Sequence, residues 1–260
     1  MKKLLIGFLM LTGAITASAL TVDSTVSDHC VLQQGMQNTV KGTTTAGRTV
    51  TVSLGGSQLG SAAADSSGNY EVKFNPGSAN ATGRSLVVSD GSESVTVSDV
   101  LVGEVWLVAG QSNAYNSMDF NEYSEAFDGW MSDINYPNIR VAISSPQSGA
   151  GFTLSDSLVW QQCTTANRAK VAKISPLAFF FAKELHKGRN VPVGITLAGM
   201  GATAIGYFMT PEAIAAAKAA GKTPGWGNGE CAGNCSKIPR AHGSKPARRP
   251  ASLRMPTRGL

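Results

Sequence analysis

The sequence predicts an α/β protein: a largely parallel sheet with crossover helices, preceded by a small antiparallel β-domain. Three observations predict it. Residues 20 to about 100 alternate apolar and polar side chains at period two. From Val100 onward, apolar strand-like runs alternate with helical patterns. Between the two regimes, Gly103-Glu104-Val105-Trp106-Leu107-Val108-Ala109-Gly110-Gln111-Ser112-Asn113 reads as a buried strand that breaks at a glycine and presents a serine at its carboxyl end. In open α/β sheets that is where ligands bind.

In the first region Val50, Val52 and Leu54 form one period-two set, and Val72/Phe74, Leu86/Val88 and Val95/Val97 form others. Gly55-Gly56, Asp65-Ser66-Ser67-Gly68-Asn69 and Asp90-Gly91 punctuate them. Short strands at this spacing predict a sandwich or barrel, bounded near Ser98. In the second region, strand 105–109 leads into the Ser112 turn, residues 114–135 are polar, and 138–144 reads as a strand. A helix follows over 176–187, with Pro176 in its first turn and Leu177, Phe181 and Leu185 spaced to face a core. Residues 191–197 form another strand. Thr210 caps an Ala-rich helix over 211–220 that stops at Gly221. Strand, helix, strand, helix argues for parallel pairing. Trp106 is expected in the core.

The remaining segments do not belong to a packed domain. Lys2 and Lys3, the apolar stretch 4–11 and Ala17-Ser18-Ala19 make residues 1–19 a secretory signal peptide. The mature chain is therefore expected outside the cytoplasm, secreted or periplasmic. No later run has the ~18 continuous apolar residues of a membrane span. The formal net charge of +5 misleads. Seven basic residues and no acid fall in 236–260, and two lysines lie in the signal peptide. The rest of the chain carries 13 basic against 17 acidic residues. The basic tail lacks the interleaved aromatics that stack on bases, and no nucleic-acid partner is expected. It also lacks apolar periodicity, so 236–260 is expected to be disordered. Export permits disulfides. Cys231 and Cys235 could close a small loop, and no second pair or nearby histidine completes a metal pattern. No metal or other cofactor is expected.

A serine on a tight turn after a buried strand can act as a nucleophile; its other common role there is to cap a helix. Three blocks in order carry a more specific signal: Val26-Ser-Asp-His-Cys-Val-Leu-Gln-Gln34, Gly103 to Asn113, and Val191 to Phe208. Over roughly 22–212 the chain resembles the sialate O-acetylesterase family of SGNH hydrolases. That resemblance implies a flavodoxin-like SGNH hydrolase α/β domain over 99–235 after the small β-domain of 20–98. It implies removal of acetyl groups from sugars such as sialic acids through an acyl-enzyme, with an acetylated glycan as substrate.

Carried over by position, Ser112 is the nucleophile and Gly201 supplies an oxyanion N–H, with Asn113 a second candidate. Phe208 stands where the family has tryptophan, Ala202 where it has a second glycine, and Ala114 where it has methionine. The family's Gln-Gly-Glu block and its Asp-x-x-His do not occur in this sequence. Its histidines are His29 at a turn of the β-domain, His186 near a helix end, and His242 in the basic tail. The resemblance thus implies a hydrolase domain that is incomplete at its C-terminal side, with the catalytic base unassigned. The shift of composition after about Ser236 is what translation in a wrong frame produces; an authentic basic tail is the alternative. A fragment that binds glycan without turning it over is the alternative function.

Overall fold

The computed structural model describes residues 19–110, 112–119, 129, 132, 134–143, 158–199 and 209–222. The chain divides into two compact units, Met1–Thr203 and Ala204–Leu260.

The first unit begins as a β-sandwich. Strands β1 (Val31–Gln33), β2 (Asn38–Thr43), β3 (Thr49–Leu54), β4 (Ser57–Ala63), β5 (Asn69–Phe74) and β6 (Asn80–Ser89) precede the long β7 (Ser94–Gly110). One sheet runs β4-β3-β6-β7, with β1 added alongside β7; the facing sheet is the antiparallel pair β2-β5. The period-two pattern is realised residue by residue. Val50, Val52, Leu86, Val88 and Val72 are wholly buried in one apolar cluster, with Leu54, Phe74 and Val97 nearly so. Alternate side chains of a strand point to opposite faces, so a single buried face suffices to specify these strands. The turns form where glycine and aspartate were placed: Gly55, Gly56, Gly68 and Gly91 all take positive φ, and Asp65 Oδ1 accepts the Ser67 and Asn69 N–H groups.

β7 does not end with the sandwich. Its first half pairs antiparallel with β6, from Ser94 to Val102. Its second half pairs parallel with β10 (Val193–Gly199), from Glu104 to Gly110. β10 in turn pairs parallel with β8 (Tyr136–Ile143), and β9 (Val159–Cys163) closes that side antiparallel to β8. The result is one continuous mixed sheet of α/β character. β1 pairs parallel with β7 over Leu101–Gly103 only.

Helices are interspersed with the strands along the described residues. α1 (Ser112–Tyr115) follows β7 directly, and α2 (Arg168–Val171) follows β9. α3 (Pro176–Arg189) packs on β10 and β8. Its Ser175 cap accepts the Ala178 N–H at 3.2 Å, and Asn190 closes it in the left-handed conformation. The expected apolar stripe of α3 is not the face it buries. Ala178, Phe179 and Ala182 lie against the sheet, Leu185 is half-buried, and Leu177 and Phe181 are exposed. The alanines let the helix approach the strands closely, and that rotation turns the larger Leu177 and Phe181 outward. In the second unit, α4 (Pro211–Ala219) has the predicted start and stop. Thr210 Oγ1 accepts the Ala213 N–H at 3.2 Å, and Gly221 takes φ 67°. The signal-peptide core, Cys231, Cys235, His242 and the basic tail lie outside the described residues.

Candidate active site

The strand that carries the candidate nucleophile is held at its base by side chains from the block 26–34. Gly103 lies so close to the neighbouring chain that a Cβ there would sit 2.0 Å from the Pro192 carbonyl oxygen. Only glycine lets β10 begin beside β7. Gln33 Oε1 accepts the Val105 N–H at 2.7 Å, completing the edge where β1 stops. Gln34 donates through Nε2 to Glu104 at 2.9 Å and accepts the Ala79 N–H at 3.1 Å. Arg189, at the end of α3, donates to the same Glu104 oxygen at 3.1 Å. The sequence blocks 26–34, 103–113 and 191–199 therefore meet at one point, through β1, β7 and β10. Their spacing in sequence reflects this packing as well as any chemistry.

At the other end, β7 and β10 finish side by side, with Gly110 opposite Gly199. Gly110 takes φ 151°, a conformation that L side chains rarely adopt, and the chain turns there into α1. Ser112 is the first residue of α1, just beyond the carboxyl end of a parallel strand. Asn113 follows on the exposed side of that helix, while Ala114 is buried. Gly201 and Phe208 lie outside the described residues.

Both described histidines are anchored well back from Gly110, before the parallel strands reach their carboxyl ends. His186 Nδ1 donates to the Val191 carbonyl at 2.7 Å, at the entry to β10. His29 Nδ1 donates to Asp99 Oδ2 at 2.7 Å, near the middle of β7. At ~3.3 Å per strand residue, these anchors are roughly 25 Å and 35 Å along the sheet from Gly110. Neither imidazole reaches the Ser112 turn.

The second half of β7 carries exposed apolar side chains. Trp106, expected in the core, is 41% exposed and meets Phe181 edge to face at 5.2 Å. Leu107, on the other face of β7, is 58% exposed. Beyond Val105, no described strand pairs with the edge of β7 that β1 occupies earlier. Asp119 is engaged by Lys173 at 2.5 Å and Ser117 at 2.6 Å on the surface. Burial by itself raises its carboxyl, but the Lys173 and Ser117 hydrogen bonds bring it below the ordinary range. Cys30 and Cys163 are buried free thiols, each pushed up to about 12 by desolvation. Among the described residues, no three His, Cys, Asp or Glu side chains gather as a metal site requires.

Sequence reasoning missed the polar cluster around Asp99, formed by His29, Arg140 and Gln162. The available signal was faint: Asp is among the few residues that tolerate positive φ, and Asp99 follows the last period-two residue of the sandwich.

Comparison with known proteins agrees with this architecture. Residues 24–102 match the family model of a bacterial Ig domain, so the sandwich is Ig-like. No curated protein sequence matches the chain. The fold resembles the crystal structure of a carbohydrate acetylesterase from Xanthomonas citri, with a TM-score of 0.64 and 26% identity over 75% of this chain. The chain spans only 43% of that enzyme's length. Two further resemblances have TM-scores too low to carry an argument. Domains 4 and 5 of the S-layer protein SbsC match at 0.23, with 20% identity over 34% of this chain and 52% of that one. The mouse leukocyte-associated immunoglobulin-like receptor 1 ectodomain matches at 0.22, with 17% identity over 38% of this chain and 97% of that one. The chain is thus an Ig-like β-domain followed by a mixed α/β sheet of the kind seen in a carbohydrate acetylesterase. No helix among the described residues is long and apolar enough to cross a membrane.

Proposed function

We propose that this chain is the nucleophile-bearing part of an exported carbohydrate O-acetylesterase. Two observations together carry the reading. The alignment to the Xanthomonas citri acetylesterase covers 75% of the chain, and Ser112 stands where β7 turns into α1 beyond the parallel strand end. On this reading Ser112 attacks the acetyl carbonyl of an O-acetylated sugar, such as an acetylated sialic acid. The sugar oxygen leaves as the alcohol, and water then releases acetate from the acyl-serine. Asn113 and the backbone N–H of Gly201 are the proposed oxyanion donors. The signal-peptide pattern and the bacterial Ig domain support a place outside the cytoplasm.

The location of His29 and His186 favours a second reading, in which this chain binds acetylated glycan without efficient turnover. A general base must lie within hydrogen-bond reach of the nucleophile, and neither of these does. Hydrolysis of 4-nitrophenyl acetate by the wild type, Ser112→Ala and His242→Ala separates the readings. Little turnover is expected. Loss of a triad member costs several orders of magnitude, of order 10⁴ or more. Robust turnover abolished by Ser112→Ala and by His242→Ala would establish the esterase reading for this chain and assign its base. Turnover unaffected by Ser112→Ala would overturn it.

A further inference from the structure

Three donors from three separate segments converge on one carboxylate oxygen at the point where β7 passes from the Ig-like sheet into the parallel sheet. Asp99 Oδ2 accepts from His29 Nδ1, Arg140 Nη1 and Gln162 Nε2, each at 2.7 Å. His29 belongs to the turn before β1, Arg140 to β8 and Gln162 to β9. Arg140 is only 3% exposed. Its Nε donates to the Pro137 carbonyl at 2.6 Å, and its Nη1 also reaches the His29 carbonyl at 3.3 Å. One guanidinium is thereby stitched to both regions.

The backbone is shaped around this oxygen. Asp99 has φ 55° and His29 φ 69°, left-handed conformations that non-glycine residues adopt at a cost. Such strain persists only where the surroundings over-determine it. Across from them, β6 carries Gly83, where a Cβ would lie 2.1 Å from Asp99 Oδ1. Beside the cluster, Trp160 of β9 is buried in the apolar core of the sandwich, and its Nε1 donates to the Thr25 carbonyl at 3.1 Å. Gly194 of β10 makes room for it: a Cβ there would stand 2.9 Å from Val31 Cβ and 3.1 Å from Trp160 Cζ3.

We propose that Asp99, with His29, Arg140 and Gln162, is a latch that makes the Ig-like domain and the parallel sheet one cooperative folding unit. Where few contacts cross a domain boundary, the two sides open independently. Here Arg140 and Gln162 cross it to one carboxylate. Without that carboxylate, the nearly buried guanidinium of Arg140 has no counter-charge. The Ig-like domain is then an obligate half of the fold and not a detachable module, whatever chemistry Ser112 performs.

Native-state hydrogen exchange on the full chain, with calorimetry, tests this. In the wild type, core amides of β6 and those of β8 and β9 should exchange through one common opening, with a single melting transition. In Asp99→Asn, the β8 and β9 amides should accelerate about tenfold or more relative to β6, the factor equivalent to losing a hydrogen bond to a charged group, and the melt should split in two. Gln162→Leu keeps the Asp99–Arg140 ion pair and folds even if Asp99→Asn does not; it should shift β8 and β9 in the same direction by a smaller factor. The latch is refuted if the two sets already exchange separately in the wild type. It is equally refuted if either variant accelerates both sets alike with one transition, which is mere loss of stability.

Discussion

The Ig-like domain and the parallel sheet share one strand, yet they keep their apolar residues in different ways. In the Ig-like half every period-two set lies inside, from Val50 to Val97, with the partial exception of Val95. In the other half Trp106, Leu107, Leu177 and Phe181 all reach solvent. The chemistry of the residues is the same; the demand on the surroundings is not. An antiparallel sandwich needs one buried face per strand, and two sheets supply it to each other. A parallel sheet needs cover on both faces. The second half of β7 has β10 on one edge only among the described strands. The difference teaches that burial in a sandwich is local bookkeeping, while burial in a parallel sheet depends on elements far along the chain.

The sharpest way to break this comparison is at the residue that belongs to both halves. Trp160 is 3% exposed and sits in the Ig-like core although β9 lies in the other half. Trp160→Ala should destabilise the first unit by about 3–5 kcal/mol, measured as the shift of urea midpoint. A loss below ~1 kcal/mol would mean that the two cores are independent.

A matched pair of leucines sharpens it. Leu86→Ala removes a wholly buried side chain and should cost about 2–5 kcal/mol. Leu107→Ala, on the open strand, should stay within about 0.5 kcal/mol. Equal losses in denaturant melts would show that Leu107 is covered in solution, and the contrast between the halves would fail.

The smallest expected effect is acidic. Burial taken alone raises the Asp99 carboxyl, but the hydrogen bonds from Arg140 and His29 and the Arg140 charge outweigh it and hold the group down to about 2. Its ordinary value is 3.8. A carboxyl lowered on folding stabilises the native state above its unfolded pKa, and that contribution fades as pH falls from 3.8 toward 2. Between pH 5 and pH 2 the lower-melting transition of Asp99→Asn should therefore shift less than the single wild-type transition. The Ig-like half has its own such group in Asp90. Thr44 at 2.6 Å, then the Glu93 and Ser92 N–H groups, hold it to about 2. The variant curve should therefore flatten without becoming level.

Much of the fold was legible in the sequence. Period-two sets found the Ig-like strands, and Thr210, Pro211 and Gly221 marked a helix that forms with those caps. The end of β7 was legible as well, because a strand broken by Gly110 and followed by Ser112 is a local pattern. Less of the candidate site was readable. The roles of Gln33 and Gln34 depend on β7 edges that no local pattern reveals. The packing role of Gly103 depends on Pro192, 89 residues further along.

The sequence by itself determined what depends on near neighbours: strand period, turn glycines, helix caps and the serine turn. Tertiary structure alone decided which face of α3 is buried, whether Trp106 is covered, and how far back from Gly110 His29 and His186 are anchored. It also gathered His29, Asp99, Arg140 and Gln162 around one oxygen. The physical reason is range. Propensity and periodicity are set within a few residues along the chain, whereas burial and ion pairing are set by whichever distant segment the topology brings alongside.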